Sequence, residues 1–325
     1  MNRRLVLLHV SAALLLPGAL FAQPASVPRV AIIHAGTRET DGPFRESFAK
    51  GMRERGYVDG KNVVLEEAYA AGGDQRLPEL IADLLRRKPA VLLVGGGQAV
   101  QAAKAATTSV PIVVYGMADP VGQGVAASLA RPGGNITGIA ILSETLVAKR
   151  LEVLLEVVPK ARRVAYLMNP KNPIAEKIFA SAKVAAKNMG VVLTEFRASN
   201  AAEIGEALKA IAKQRADAVL LTQDTTAYTF RKLIADSLAA SRIPAMHGFS
   251  EAVVEGAMMS YSANLNENRR HAASFVDRIL KGARPGDLPF EQSTHMELVV
   301  NTKAAKGLGI TFPNTVLLRA DRVIE

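Results

Sequence analysis

Residues 29–36 read RVAIIHAG and residues 163–170 read RVAYLMNP, the same phrase of an arginine, a mostly apolar run and a polar turn, 134 positions apart. The echo continues along the chain. VVLEEAYA from Val63 returns as VVLTEFRA from Val191, PAVLLVGGG from Pro89 as DAVLLTQDT from Asp217, and VPIVVYGMADP from Val110 as IPAMHGFSE from Ile243. A constant order of matched segments at a nearly constant offset means one structural unit built twice. That constrains the fold more than any composition does.

Each echoed segment is a short Val, Ile and Leu run without polar alternation, the pattern of a strand buried on both faces of a parallel sheet. Helical patterns lie between the strands. In DQRLPELIADLLRRK, Leu77, Leu80, Ile81, Leu84 and Leu85 recur at three- and four-residue steps, and Ile204, Leu208 and Ile211 do the same in the second unit. Strand and helix in alternation, twice over, predict an α/β protein of two similar Rossmann-like lobes with parallel sheets. Three apolar runs, ITGIAI, GAMMSYSAN and ELVVNTKAA, fall between or after the units and imply three chain crossings, a three-segment hinge. The expected division is residues 28–137 plus 257–290 for the first lobe and 138–256 plus 291–325 for the second.

Ligands of open α/β sheets bind at the carboxyl edge of the strands. The loops there are HAGTRETDG, GGGQAV and GMADPVGQG in the first unit and NPKNP, TQDTTAY and HGFSEA in the second, all rich in Gly, Asn, Asp, Thr and Gln. If the lobes face each other, six polar loops line one cleft. Residues Gly96, Gly97 and Gln98 form a strand-to-helix turn whose backbone N–H groups favour an anion. His34 and Asn169 stand at equivalent positions after the first strand of each unit. Asp224 has Thr222, Gln223 and Thr225 beside it, while Asp119 in MADPVG can touch ligand or cap a helix VGQGVAASLA. With aromatics only 5% of the chain, the positions of Tyr115, Tyr228, Phe249 and Tyr261 at strand ends or cleft loops make them candidate walls for an apolar or planar ligand part. Phe179, Phe230 and Phe275 fall in helical patterns and read as core.

Other chemistry is poorly supported. The chain has no cysteine, so disulfides, thiolate nucleophiles and Cys-ligated metals drop out, and the histidines that follow residue 22 show no metal-ligand spacing. GxGxxG, GxxxxGK[ST] and GxSxG are all absent, which leaves no cofactor or catalytic motif. Asp119 and Asp224 could face each other as an acid and base of an exported hydrolase, or accept hydrogen bonds from a ligand ammonium or hydroxyl. Nothing in their sequence surroundings argues for a raised pKa, which favours binding. The net charge of +10 is spread through helix-like segments among carboxylates and there is no tryptophan, so it reads as a mildly basic surface and not a nucleic-acid face. MNRR followed by LVLLHVSAALLLPGALFA reads as a secretory signal peptide, residues 1–22, with cleavage near Ala22.

Together RVAIIHAG, PIVVYGMADPVGQGVAASLARPGGNITGIA, RRVAYLMNPKNP, the long stretch from GAMMSYSAN to GLGITFP, and LLRADRVIE resemble the ABC-transporter substrate-binding family, the tryptophan- and tyrosine-type periplasmic binding proteins with the type I two-lobed fold. The resemblance covers essentially the whole chain after the signal. It implies a periplasmic receptor that closes around a small solute and delivers it to an inner-membrane ABC permease without chemistry on the ligand; a monomer is the default expectation, since one receptor docks both lobes on a permease and the scattered charges leave no apolar interface stripe. Matched residue by residue, it puts His34, the Gly96-Gly97-Gln98 turn, Asp119, Asn169 and Asp224 at the ligand. GGGQ stands where many relatives have a small hydroxyl residue, and TQDTTAY is more polar than the usual loop. The ligand class therefore stays open among an amino acid, another small carboxylate and an aromatic acid. A sensor reporting to a membrane signalling protein would use the same closure.

Overall fold

A computed structural model describes residues 27–71 and 73–325, so the expected signal peptide lies outside the described residues. The first unit runs β1 (Arg29–His34), α1 (Gly42–Arg53), β2 (Val64–Tyr69), α2 (Leu77–Arg86), β3 (Val91–Val94), α3 (Gly97–Ala106), β4 (Ile112–Ala118) and β5 (Ile136–Ile141). The second runs α4 (Ser143–Val157), β6 (Arg163–Met168), α5 (Ala175–Asn188), β7 (Val192–Arg197), α6 (Ala201–Lys213), β8 (Ala218–Leu221), α7 (Thr225–Thr229), α8 (Arg231–Ala240), β9 (Ala245–His247), α9 (Ser250–Val254) and β10 (Met259–Ala263). The chain ends with α10 (Leu265–Leu280), β11 (Glu291–Gln292), β12 (Met296–Asn301), α11 (Thr302–Gly307), α12 (Asn314–Leu317) and β13 (Arg322–Ile324).

Two sheets result, ordered β2-β1-β3-β4-β5-β11 and β7-β6-β8-β9-β10-β12-β13. Their first five strands follow the same path, and the pairings are parallel except β10 with β12. The duplication read in the sequence is thus a duplication of topology. In each lobe helices cover both sheet faces, because strands such as VLLV and AVLL are buried end to end and present apolar side chains to either side. Phe48 and Met52 of α1 and Phe275 and Val276 of α10 close one face of the first sheet over Val30, Ile32 and Leu93. Each such side chain contributes about 1.5–3 kcal/mol on burial.

Strand membership moves the lobe boundaries. The divisions expected at 137/138, 256/257 and 290/291 each fall before or within a strand that still belongs to the earlier lobe. β5 through Ile141 is in the first sheet, β10 at 259–263 is in the second, and β11 at 291–292 is in the first. The chain therefore crosses at residue 142, at 264 and at 293–295, after each strand and not at the turn before it. Segment 121–130 is a series of turns and not the expected helix, since Gly124 takes φ +65° and Asp119 takes φ +44° ahead of Pro120.

Candidate solute-binding cleft

The carboxyl edges of the two sheets face each other around a cavity of about 80 Å³. At about 10–15 Å³ per water position this is room for roughly half a dozen waters, a compartment for a small solute. Its floor on the first lobe is the turn Gly95-Gly96-Gly97-Gln98 leading into α3, with Tyr115 and Gln123. A Cβ on Gly95 would lie 2.1 Å from the Tyr115 ring, so only glycine lets that ring approach the turn so closely. On the second lobe stand Asn172, Gln223, Asp224 and Thr225, and the rings of Tyr228 and Phe249.

The aromatic wall spans both lobes. Phe44 of α1 stacks on Tyr228 of α7 with centroids 5.2 Å apart, and Phe249 meets Tyr228 edge-on at 5.2 Å. Arg269 of α10 lies between Phe44 and Tyr115, its guanidinium carbon 3.5 and 4.0 Å from their centroids, and one terminal nitrogen donates to Tyr115 Oη at 2.6 Å. Its other terminal nitrogen, Nη1, is buried without a partner, and among the described residues no carboxylate pairs with it. Such a cation is held by π faces on its sides and open at its tip.

Asp224 is the complementary charge. Its Oδ1 accepts from the N–H groups of Thr226 at 2.8 Å and Ala227 at 3.4 Å and so caps α7, while Oδ2 accepts from Asn172 Nδ2 at 3.1 Å and Gln98 Nε2 at 3.2 Å. Burial pushes its carboxyl up, and the bonds from Gln98, Thr226, Ala227 and Asn172 pull it part of the way back. The sequence surroundings offer no argument for a raised pKa at Asp224, and burial supplies one: the residue is 4% exposed. It is a buried acceptor with no cation beside it.

Polar links tie the lobes: Gln98 to Asp224, Tyr228 Oη to Asp41 Oδ1 at 3.2 Å and to the Thr40 carbonyl at 3.4 Å, and Lys177 Nζ donating to Asp119 Oδ2 at 2.7 Å. The structure is thus a closed form of the cleft.

Of the residues expected at the ligand, Gly96, Gly97, Gln98, Tyr115, Asp224 and Phe249 line the cavity. Five stand elsewhere. His34 is buried behind the wall, stacked on Tyr69 at 4.7 Å and 3.4 Å from Asp41, because its strand directs it into the first lobe. Asn169 donates to Thr226 Oγ1 at 2.8 Å and accepts from the Lys171 N–H at 2.9 Å, which braces the loop under Asp224. Thr222 bonds the Leu167 carbonyl inside the second lobe, and Tyr261 offers its backbone carbonyl to Arg150 and not its ring to the cavity. Asp119 accepts from the Gly122 N–H at 2.8 Å and from Lys177, outside the cavity, so it does not pair with Asp224 as an acid–base couple.

Phe44 and Arg269 were not singled out by the sequence. A signal for Arg269 exists: it falls on the buried stripe Arg269, Ala272, Ala273, Val276 and Ile279 of an amphipathic helix, where a cation is out of place. Among the described residues no cluster of His, Asp and Glu could hold a metal. Nor is any helix among them long and apolar enough to cross a membrane.

Comparison with known proteins agrees with this geometry. The family described as ABC transporter substrate binding protein matches residues 30–324. A tyrosine-binding protein of Clostridioides difficile is 22% identical over 264 residues, 81% of this chain and 76% of that protein. Among solved structures, a conserved domain protein of Vibrio cholerae superposes with a TM-score of 0.85 at 27% identity, covering 91% of this chain and 99% of that one. A Streptococcus pneumoniae ABC domain in complex with L-Trp gives 0.85 at 21% identity over 92% and 100%. Periplasmic or extracellular placement is typical of such proteins. With two duplicated lobes closed on a small cavity and the family matched along nearly the whole chain, this protein belongs to the ABC transporter substrate-binding family, non-catalytic receptors for small organic solutes.

Proposed function

We propose that the solute is an aromatic amino acid taken as its zwitterion. The observation that carries this reading is that one cavity is lined by a buried carboxylate and a buried guanidinium, Asp224 and Arg269, each without an oppositely charged side chain at ion-pair distance among the described residues, together with the rings of Phe44, Tyr115, Tyr228 and Phe249. A buried charge is costly unless paired, and a ligand ammonium and carboxylate supply both missing partners at once. The first-turn N–H groups of α3 at Gly97 and Gln98 add to the positive side for the carboxylate. Phe44, Tyr115, Tyr228 and Phe249 supply the faces for a planar side chain. That one relative is a tyrosine-binding protein and another holds L-Trp supports the same class.

The family and the N-terminal sequence support a physiological setting for this reading. The signal peptide of residues 1–22 is removed near Ala22, the receptor works as a monomer in the periplasm, and it hands the solute to an ABC permease of the inner membrane. N-terminal sequencing of the exported protein and loss of uptake in a deletion strain test these points.

Calorimetric titration of the protein lacking residues 1–22 tests the ligand class. L-Tyrosine, L-tryptophan and L-phenylalanine are compared with tyramine, which lacks the carboxylate, and with 3-(4-hydroxyphenyl)propionate, which lacks the ammonium. Zwitterions are expected to bind at least tenfold tighter than either one-charge analogue, about 1.4 kcal/mol per tenfold. Equal binding of the propionate would make the ligand an aromatic acid and remove Asp224 from the contact set. No binding by any of the five overturns the reading.

A further inference from the structure

Behind the cavity wall lies a second buried guanidinium. Arg150 of α4 is 0% exposed, and among the described residues it has no carboxylate at ion-pair distance. Its Nε donates to the Tyr261 carbonyl at 2.7 Å and its Nη2 donates to Gln223 Oε1 at 2.9 Å. Gln223 lines the cavity, and its other amide atom, Nε2, is buried without a partner. A guanidinium has donors only, so the end of the Gln223 amide that faces it must be the oxygen. Flipping the amide would set N–H against N–H in a dry interior, an arrangement costing a buried hydrogen bond and adding an unpaired donor.

We infer that Arg150 is a positioning residue that locks Gln223 with its N–H₂ toward the cavity, making that wall a fixed donor for an acceptor oxygen of the solute. The inference rests on the aromatic amino acid reading for the identity of that oxygen, which is either the ligand carboxylate or a ring hydroxyl. It explains why an uncompensated cation is kept in the core at all: hydrophobic residues of the same volume would suit stability as well or better. Arg150 also ties the site to the hinge, since α4 begins directly after the first crossing and Tyr261 lies in the strand before the second.

The experiment is a double-mutant cycle on the protein lacking residues 1–22, titrated with L-tyrosine. Gln223→Met and Arg150→Met are each expected to weaken binding at least tenfold, and the double variant to bind no worse than Gln223→Met alone. Losses that multiply in the double variant, or a Gln223→Met variant that binds like wild type, overturn the inference. Arg150→Lys keeps the charge without the two-pronged grip. It should also lose affinity, and serves if Arg150→Met does not fold. Titration with L-phenylalanine and with tyramine identifies the oxygen: the penalty of Gln223→Met disappears with whichever ligand lacks it. If wild type binds none of these ligands, the zwitterion reading fails separately. The lock itself is then read from the Gln223 side-chain ¹H–¹⁵N pair in the ligand-free protein. An unequal, slowly exchanging pair that merges or moves in Arg150→Lys supports it, and an unchanged pair overturns it.

Discussion

Asp224 performs two tasks with one carboxylate, and substitutions can separate them. Asn in its place keeps an oxygen for the Thr226 and Ala227 N–H groups, so the cap of α7 survives while the charge for an ammonium is gone. Asp224→Asn also turns the Oδ2 acceptor of Gln98 and Asn172 into a donor, so it is expected to lose about 1–3 kcal/mol of stability and at least tenfold in affinity for L-tyrosine, measured by scanning and titration calorimetry. Asp224→Ala loses the cap as well, about 1 kcal/mol of stability. A second carboxyl nearby predicts a pH dependence. Half-buried Asp74 of the first lobe is pushed up to about 6 by burial and then by the charge of Asp224 across the cleft. The folded protein thus holds a proton that the unfolded chain has released above about 3.8, so this group costs stability progressively as pH rises from about 4 to 6 and fully above 6. In Asp74→Asn that cost is absent. The melting temperatures of the two proteins should coincide near pH 4 and separate above pH 6 with the variant the more stable, and parallel curves would refute the assignment.

At the scale of elements, the turn before α3 is where shape and closure meet. Gly96 takes φ +82°, and a Cβ there would come within 2.6 Å of Thr225 Oγ1 on the opposite lobe. Gly96→Ala should therefore fold and yet bind L-tyrosine at least tenfold more weakly, and adding Thr225→Ala should restore part of the loss, the remainder being backbone strain. Equal affinities for the single and double variants would show that strain alone acts. What could be read from the chain follows the same division. Strands buried on both faces leave an unmistakable apolar run, so the duplicated sheets and their alternating helices were legible, as were the turns at Gly96 and Asp224 that must end at the sheet edge. His34, the last residue of β1, and Asn169, one position past β6, were misplaced because the chain at a strand end turns a side chain inward or outward by a local dihedral that no periodicity encodes. Arg150 and Arg269 went unread for a different reason. Each lies on the apolar stripe of a helix, Arg150 among Val147, Leu151 and Leu154, and a stripe is identified by its hydrophobic members. A cation on such a stripe is the sequence signal for a buried site.

For the whole molecule, closure rests on links of unequal depth. Lys177, half exposed, bridges Asp119 on the first lobe and Glu144 on its own, and such surface pairs contribute little and fade with salt. Tyr228 is buried, and losing its hydroxyl leaves a buried oxygen of Asp41 short of a donor, a cost of about 1–3 kcal/mol. Tyr228→Phe should therefore enlarge the radius of gyration measured by small-angle scattering in the absence of solute and weaken L-tyrosine binding by roughly ten- to a hundredfold. Lys177→Gln should change either quantity only slightly. The reverse ranking would mean that closure is governed at the rim. The three crossings also bear on synthesis. When the first 250 residues have left the ribosome, every strand of the first sheet except β11 has been made, yet Val30, Ile32 and Leu93 still lack α10 as a cover. No contiguous fragment short of about residue 280 can finish the first lobe, and any fragment that long carries most of the second. The nascent polypeptide must accordingly remain loose, with one sheet face bare, until its final stretch is made, and no single cut in the gene can yield the first lobe as an independent domain.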